Sequence, residues 1–302
     1  MNTRKTVAVL AAALLVALIF SACPSPGSDD VTPPIVPPPF MEMVRIQSGT
    51  FTMGSPDTET NSNEDERPQH QVTLSPFYMG KYEVTQKQYE TVMGSLPLFI
   101  TSPDYDYGEG NNYPVYGTRW SQAIAFCNKL STMEGLTPAY TLNGTTNPDE
   151  WSASSDWGSV ICNWDTNGYR LPTEAQWEYA CRAGTTGPFS TGNNITTSQA
   201  NYDGTRPYNN NPTGMNRKKT TPVGNFAPNR FGLYDMHGNV LEWCWDFYGY
   251  YSSDAQTDPT GPDNTTTYLE NRVYRGGSWF EGDGGGTSVQ PTGGTATAWV
   301  LP

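Results

Sequence analysis

Basic side chains, histidines and late cysteines are scarce in this chain. Seventeen Lys and Arg face thirty Asp and Glu, for a net charge of −13 and a pI near 4.5. Binding nucleic acid or anionic lipid needs a basic surface, so this balance argues against both as partners. The only histidines are His70 and His237. They are too few for a three-histidine iron site and lack a helical spacing. No cysteine follows Ser278. No internal repeat of fixed period is present, which excludes a solenoid or propeller. What the chain has in quantity is 30 Gly, 25 Pro and 13% aromatic residues. That composition suits a loop-rich fold held by aromatic packing and does not suit a helical bundle.

The N-terminus reads as an export signal. Arg4 and Lys5 form a short basic region, residues 7–20 are apolar, and Ser21-Ala22 places small residues before Cys23. The apolar run is too short and wrongly flanked for a stable membrane span. Residues 1–22 are therefore expected to be a signal peptide. Cys23 then becomes the acylated N-terminus of a bacterial lipoprotein, lodged in the cell envelope on its periplasmic or outer face. The alternative is an ordinary signal cut near Ala22 that leaves a free thiol. Residues 24–40 hold seven prolines and no apolar period, so 23–41 reads as a semi-extended tether. Residues 42–280 are long enough for one large domain.

Within that domain the pattern is of short strands and few helices. Residues 43–55, MVRIQSGTFTMGS, alternate around a Ser-Gly turn and read as a hairpin. Glu64-Asp65-Glu66 reads as a solvated acidic loop. Residues 70–85 read as two strands broken at Pro76. Thr85 caps a helix reaching Met93. A second helix runs from about Ser121 to Met133, with Ile124, Phe126, Cys127 and Leu130 on its apolar side. Thr173 and Gln176 have capping-box spacing for a third. Residues 185–230 are rich in Asn, Gly, Pro and Thr. They read as a long irregular region, of the kind that is usually functional or ion-stabilised.

Six strings occur in order: MVRIQSGTFTMGS, FYMGKYEVTQKQYETVMG, YPVYGTRWSQAIAFCNKLS, GYRLPTEAQWEYACRAG, PVGNFAPNRFGLYDMHGNVLEW and RVYRGGSW. Together they span Met43 to Trp279, and the series resembles the formylglycine-generating enzyme, or sulfatase-modifying-factor, family. The resemblance implies an α+β domain with little regular structure, related to C-type lectin-like domains. Members include oxidases, sulfoxide synthases and binding proteins with variable ligand surfaces, so fold alone does not settle function.

The resemblance also implies a structural calcium. Its ligands would be the side chains of Asp235 and Glu242 and the carbonyls of Gly238 and Val240. Calcium takes six to eight oxygens and mixes carboxylates with carbonyls. The plainer alternative has Asp235 capping a turn and Glu242 pairing with an arginine. A second family site would begin at Asn201 and Tyr202, but its later acidic ligand is absent from the basic stretch 214–224.

The family's oxidase chemistry uses copper held by two thiols just past the GGS turn. Soft sulfur ligands select that ion, and the thiolate is also the nucleophile for exchange. Here Glu281 stands at the first thiol position and glycines near the second. No residue is assigned as catalytic, and copper is not expected. Cys127 reads as a core residue. Cys162 and Cys244 could pair, though four cysteines permit three connectivities. The tail 281–302 has few large apolar residues and no clear strand. It reads either as the product of a frameshift or as a variable segment of the kind some lectin-like relatives diversify.

Two functions from different classes follow. One is a non-catalytic binding domain for an extracellular or periplasmic ligand or protein. Its face would be drawn from Trp243, Trp245, Tyr248, Tyr250, Tyr251, Ser278, Trp279 and Glu281, with at least half of the aromatics expected in the core. The other is a formylglycine-generating oxidoreductase, or a remnant of one, acting on a sulfatase cysteine.

Overall fold

The computed structural model describes residues 40–59, 62, 64–98, 100–101, 106–152, 156–262, 271–280 and 300–301. The signal peptide, Cys23, nearly all of the tether, Glu281 and most of the tail lie outside the described residues.

The regular elements are short and widely spaced. In chain order they are β1 (Met43–Ile46), β2 (Gly49–Met53), β3 (His70–Leu74), β4 (Phe77–Gly80), α1 (Gln86–Met93), α2 (Trp120–Met133), β5 (Tyr140–Thr141), β6 (Ile161–Cys162), α3 (Glu174–Arg182), β7 (Glu242–Phe247), β8 (Gln256–Thr257), β9 (Arg272–Arg275) and β10 (Val300–Leu301). The class is α+β, as the sequence implies.

The helices begin where local chemistry puts them. Thr85 Oγ1 accepts from Gln88 N while Gln88 Oε1 accepts from Thr85 N, which satisfies two end donors reciprocally. Thr173 and Gln176 do the same for α3. Gly94, at φ 83°, closes α1 in the left-handed region that glycine enters without a Cβ clash. On α2 the apolar side Ile124, Phe126, Cys127 and Leu130 is fully buried.

The strands pair differently from the sequence expectation. β1 does not fold back on β2. It pairs antiparallel with β4, and β2 pairs antiparallel with β3. The Ser-Gly corner therefore passes the chain between two sheets, ordered β1-β4-β10 and β2-β3-β8. The tail also contributes a strand, since β10 adds antiparallel to β4. Strand addition uses only backbone donors and acceptors at an open edge, which side-chain alternation does not report.

The antiparallel pair β7-β9 is buried on both faces and separates two cores. Successive strand residues point to opposite sides. Trp243 and Tyr274 enter a core built on α1, α2 and Tyr140. Their neighbours Cys244 and Val273 enter a second core with Ile46, Val72, Phe77 and Trp177. A third cluster, including Phe189, Ile195, Tyr202 and Tyr208, gives the irregular region 185–230 its own centre.

The acidic turn is not solvated. Asp65 and Glu66 are buried. Ser55 Oγ donates to Glu66 Oε2 at 2.7 Å, and Tyr248 Oη donates to Asp65 Oδ2 at 2.7 Å. Partners so distant in sequence left no local sign. The thiols of Cys127, Cys162, Cys181 and Cys244 are all buried and unpaired, so the Cys162–Cys244 pairing does not form.

Candidate functional site

Two turns lock together to build the site. In the loop before β7, Asp235 (φ 55°), Gly238 (φ 76°) and Asn239 (φ 64°) all adopt left-handed conformations. Gly238 also passes so close to Asn201 that a Cβ would lie 2.3 Å from its carbonyl oxygen. Only glycine meets both demands. Asn239 N donates to Asn201 O at 2.8 Å, Gly238 N to Gly276 O at 2.7 Å, and Trp279 N to Asn239 O at 3.0 Å. The turn after β9 is thus fixed to the loop before β7, and Ser278 and Trp279 are presented at that junction.

Asn239 organises the junction and is fully buried. Its Oδ1 accepts from Asn201 Nδ2 and Thr221 N, and its Nδ2 donates to Glu83 Oε2 at 2.7 Å. Glu83 Oε1 accepts from Val240 N at 3.1 Å. Sequence reasoning missed Glu83 and gave Asn239 no role.

Beside the turn lies a cleft of about 260 Å³, walled chiefly by Tyr107, Tyr116, Leu241, Ser278, Trp279 and Phe280. Tyr107 stacks at a tilt on Trp279, with ring centroids 5.3 Å apart. Such a wall offers large apolar area with polar edges, which suits a side chain or another flat apolar group. Among the described residues no cysteine lines the cleft. Cys127, Cys181 and Cys244 sit in the cores, and burial pushes all three thiols well up from their ordinary range. This donor set does not fit copper.

The implied calcium ligands have a different environment. Asp235 Oδ2 accepts from Gly224 N at 2.7 Å, while its Oδ1 is buried with no hydrogen-bond partner. Glu242 Oε2 accepts from Trp177 Nε1 at 2.6 Å and not from an arginine. Burial raises the Asp235 carboxyl to about 6 and the Glu242 carboxyl to about 8, and Asp235 adds to the latter shift. Burial, and then these same two carboxylates, raise Glu83 as well. Buried carboxylates that repel one another, one with an orphaned oxygen, fit a hard cation. Among the described residues no three His, Cys, Asp or Glu side chains form a ligating cluster. Such a site would therefore lean on carbonyls from Gly238 and Val240. At the possible second site, Asn201 Oδ1 is also buried without a partner. Tyr202 is buried, and its hydroxyl donates to Ile195 O.

The structure does not gather the named aromatics onto one face. Trp243 is core, its Nε1 donating to Thr118 O. Trp245 stacks on Tyr140 at 5.4 Å against the same core. Both belong to the half of these aromatics expected in the core; strand alternation alone does not say which residues of a doubly buried strand those are. Tyr248 is held by Asp65, and Tyr251 donates to Glu174 Oε1. Tyr250 is exposed. Of the named face's described residues, Ser278 and Trp279 reach the aromatic cleft. His237 is a buried loop residue whose Nε2 accepts from Ser190 N at 3.0 Å.

The α+β frame and the two interlocked turns define the class. The chain belongs to the family of the sulfatase-modifying factor enzyme 1-like domain, whose model matches residues 31–293. It is 36% identical over 280 residues to "Chaperone protein LppX" of Paenibacillus barcinonensis, covering 88% of this chain and 86% of that protein. It is 32% identical over 255 residues to the formylglycine-generating enzyme of Mus musculus, covering 79% and 66%. Among solved structures it is similar to "Treponema denticola variable protein 1", with a TM-score of 0.69 and 32% identity over 86% of this chain and 94% of that one.

Proposed function

We propose that this protein is a non-catalytic, polypeptide-binding member of the family, held at a bacterial envelope through lipidated Cys23. The observation that carries this reading is the cleft beside the GGSW turn. It keeps an aromatic wall in Tyr107, Tyr116 and Trp279, with no thiol among its described lining residues. A surface of that kind can bind an apolar side chain but cannot exchange disulfides or hold copper(I). The relative named a chaperone favours a polypeptide over a small metabolite as partner. Calcium at Asp235, Gly238, Val240 and Glu242 is the structural ion of this reading, bracing the loop that carries Asn239.

The test uses fluorescence anisotropy of labelled peptides with and without a central Phe or Trp. The aromatic peptides should bind, and Trp279→Ala should weaken them at least about tenfold, as for a buried aromatic anchor. Mass spectrometry of a sulfatase-type cysteine peptide, with copper supplied, should find no aldehyde. Copper-dependent aldehyde would restore the oxidase, and binding indifferent to Trp279→Ala would remove the cleft from this account.

A further inference from the structure

Phe280 is the most exposed aromatic side chain among the described residues, at 70%. Its position is nonetheless held from both sides. Its neighbour Trp279 donates its backbone N–H to Asn239 O at 3.0 Å. Its own carbonyl accepts from Arg206 Nη2 at 2.9 Å, a contact that spans 74 residues of chain. Arg206 is set in turn by Asp203, whose Oδ2 accepts from Arg206 Nε at 3.1 Å. Asp203 is buried, and its Oδ1 accepts from Thr205 N and Thr205 Oγ1 at 3.1 and 2.6 Å. One guanidinium fork thus joins a fixed carboxylate to the backbone of an exposed ring, a double contact suited to arginine's planar geometry. The Arg206 side chain is 60% exposed, and ion pairs so placed add little to stability. What this one does is position Phe280.

That position gives the aromatic cleft a corner. The planes of Trp279 and Phe280 stand at 77°, with ring centroids 5.6 Å apart. Trp279 and Tyr107 are closer to parallel, at 33° and 5.3 Å. All three residues line the cleft. A ring carries negative charge on its face and positive charge on its edge, so rings favour offset stacking and edge-to-face contact. Two walls near a right angle let one flat guest make both contacts at once, stacking on one ring and meeting the other edge-on. A saturated guest of the same outline brings apolar area but no such charge pattern. The corner therefore reads aromaticity, where a plain apolar wall would read area alone.

We propose that Phe280, held by Arg206, is the specificity-determining wall of the cleft and selects an aromatic over an aliphatic side chain of the bound polypeptide. The proposal rests on the peptide-binding reading of this cleft. Phe280 touches the ligand, whereas Arg206 is a positioning residue that acts through Phe280.

The experiment is fluorescence anisotropy of the purified full chain with two labelled peptides that differ only at one central residue, phenylalanine or cyclohexylalanine. Cyclohexylalanine has the same outline and more apolar hydrogen, so burial alone favours it. The phenylalanine peptide should instead bind at least about threefold more tightly. Phe280→Leu keeps apolar area and removes the ring, and should cut that ratio at least about twofold. Arg206→Ala should cut it as far while leaving the melting temperature within about 1 °C of the parent, as expected for an exposed ion pair. The ratio is the diagnostic readout, because a general loss of structure weakens both peptides alike. Equal binding of the two peptides by the parent, or a ratio unchanged in either variant, would overturn the proposal. If Trp279→Ala still weakens both peptides in that case, the cleft remains the binding site and only its selectivity is lost from this account. Binding of neither peptide would overturn the cleft reading and this proposal with it.

Discussion

At the scale of single residues, buried charge is the feature with the largest consequences. Glu178 is fully buried on α3. Its Oε1 accepts from Gly54 N at 2.9 Å and from Arg182 Nε at 2.8 Å. It thereby ties the turn after β2 to α3 and, through Arg275, to β9. Burial alone raises the Glu178 carboxyl, but Arg182 and Arg275 together outweigh it and hold the group below its ordinary value of 4.5. A depressed folded value means that this stabilisation is fully present above 4.5 and is lost as pH falls through the folded value. Glu178→Ala removes the ion-pair carboxylate of Arg182 and leaves Arg275 with Glu174. It should cost about 3–5 kcal/mol, the usual loss for breaking a buried pair. Urea unfolding at neutral pH measures that cost, and unfolding between about pH 3 and 6 measures the acid dependence. A variant as stable as the parent, with the same acid limb, would contradict this assignment.

At the scale of elements, sequence legibility followed the range of the cause. α1 and α3 were readable because Thr85 with Gln88, and Thr173 with Gln176, settle their own ends within one turn. The hairpin at 43–55 was not readable. Alternation marks a strand but not its partner, and β1 and β2 choose β4 and β3. The site divides the same way. Asp235, Gly238 and Glu242 lie in one contiguous string, whereas Glu83 and Tyr107 arrive from remote segments through tertiary packing alone. β7 makes the point testable. Trp243 and Tyr250 looked alike as candidates for a binding face, yet Trp243 is core and Tyr250 is exposed. Trp243→Ala should cost about 3–5 kcal/mol through lost burial and a cavity. Tyr250→Ala should stay within about 0.5 kcal/mol of the parent. Denaturant midpoints decide, and equal losses would contradict the place of Trp243 in the core.

At the scale of the molecule, two further expectations concern what the chain is attached to. The order of basic, apolar and small residues before Cys23 makes this thiol the expected anchor. Cys23→Ser should then shift the protein from the membrane fraction to the soluble fraction or block its processing. Unchanged partitioning would count against lipidation. Among the described residues no helix is long and apolar enough to cross a membrane.

The other is the calcium proposed at Asp235 and Glu242. The loop before β7 holds three left-handed residues, and it connects Asn201, Gly276 and Trp279 through backbone hydrogen bonds. A cation at Asp235 and Glu242 would offset the repulsion among the buried acids and fix this connection. An ion bound only by the folded state stabilises it by mass action, about 2.7 kcal/mol at a hundred times its Kd. For a domain of this size each kcal/mol moves the melting temperature by about 2–4 °C. Chelation with EGTA should therefore lower Tm by several degrees, and calcium in excess of magnesium should restore it. Asp235→Ala should melt low in either condition and lose the response to calcium, because the orphaned Oδ1 goes with the side chain. Tyr250→Ala, outside the loop, should keep the full response. A Tm indifferent to chelation and to Asp235→Ala would remove calcium from the structure of this protein, leaving Asn239 and its hydrogen bonds as the sole brace of the loop.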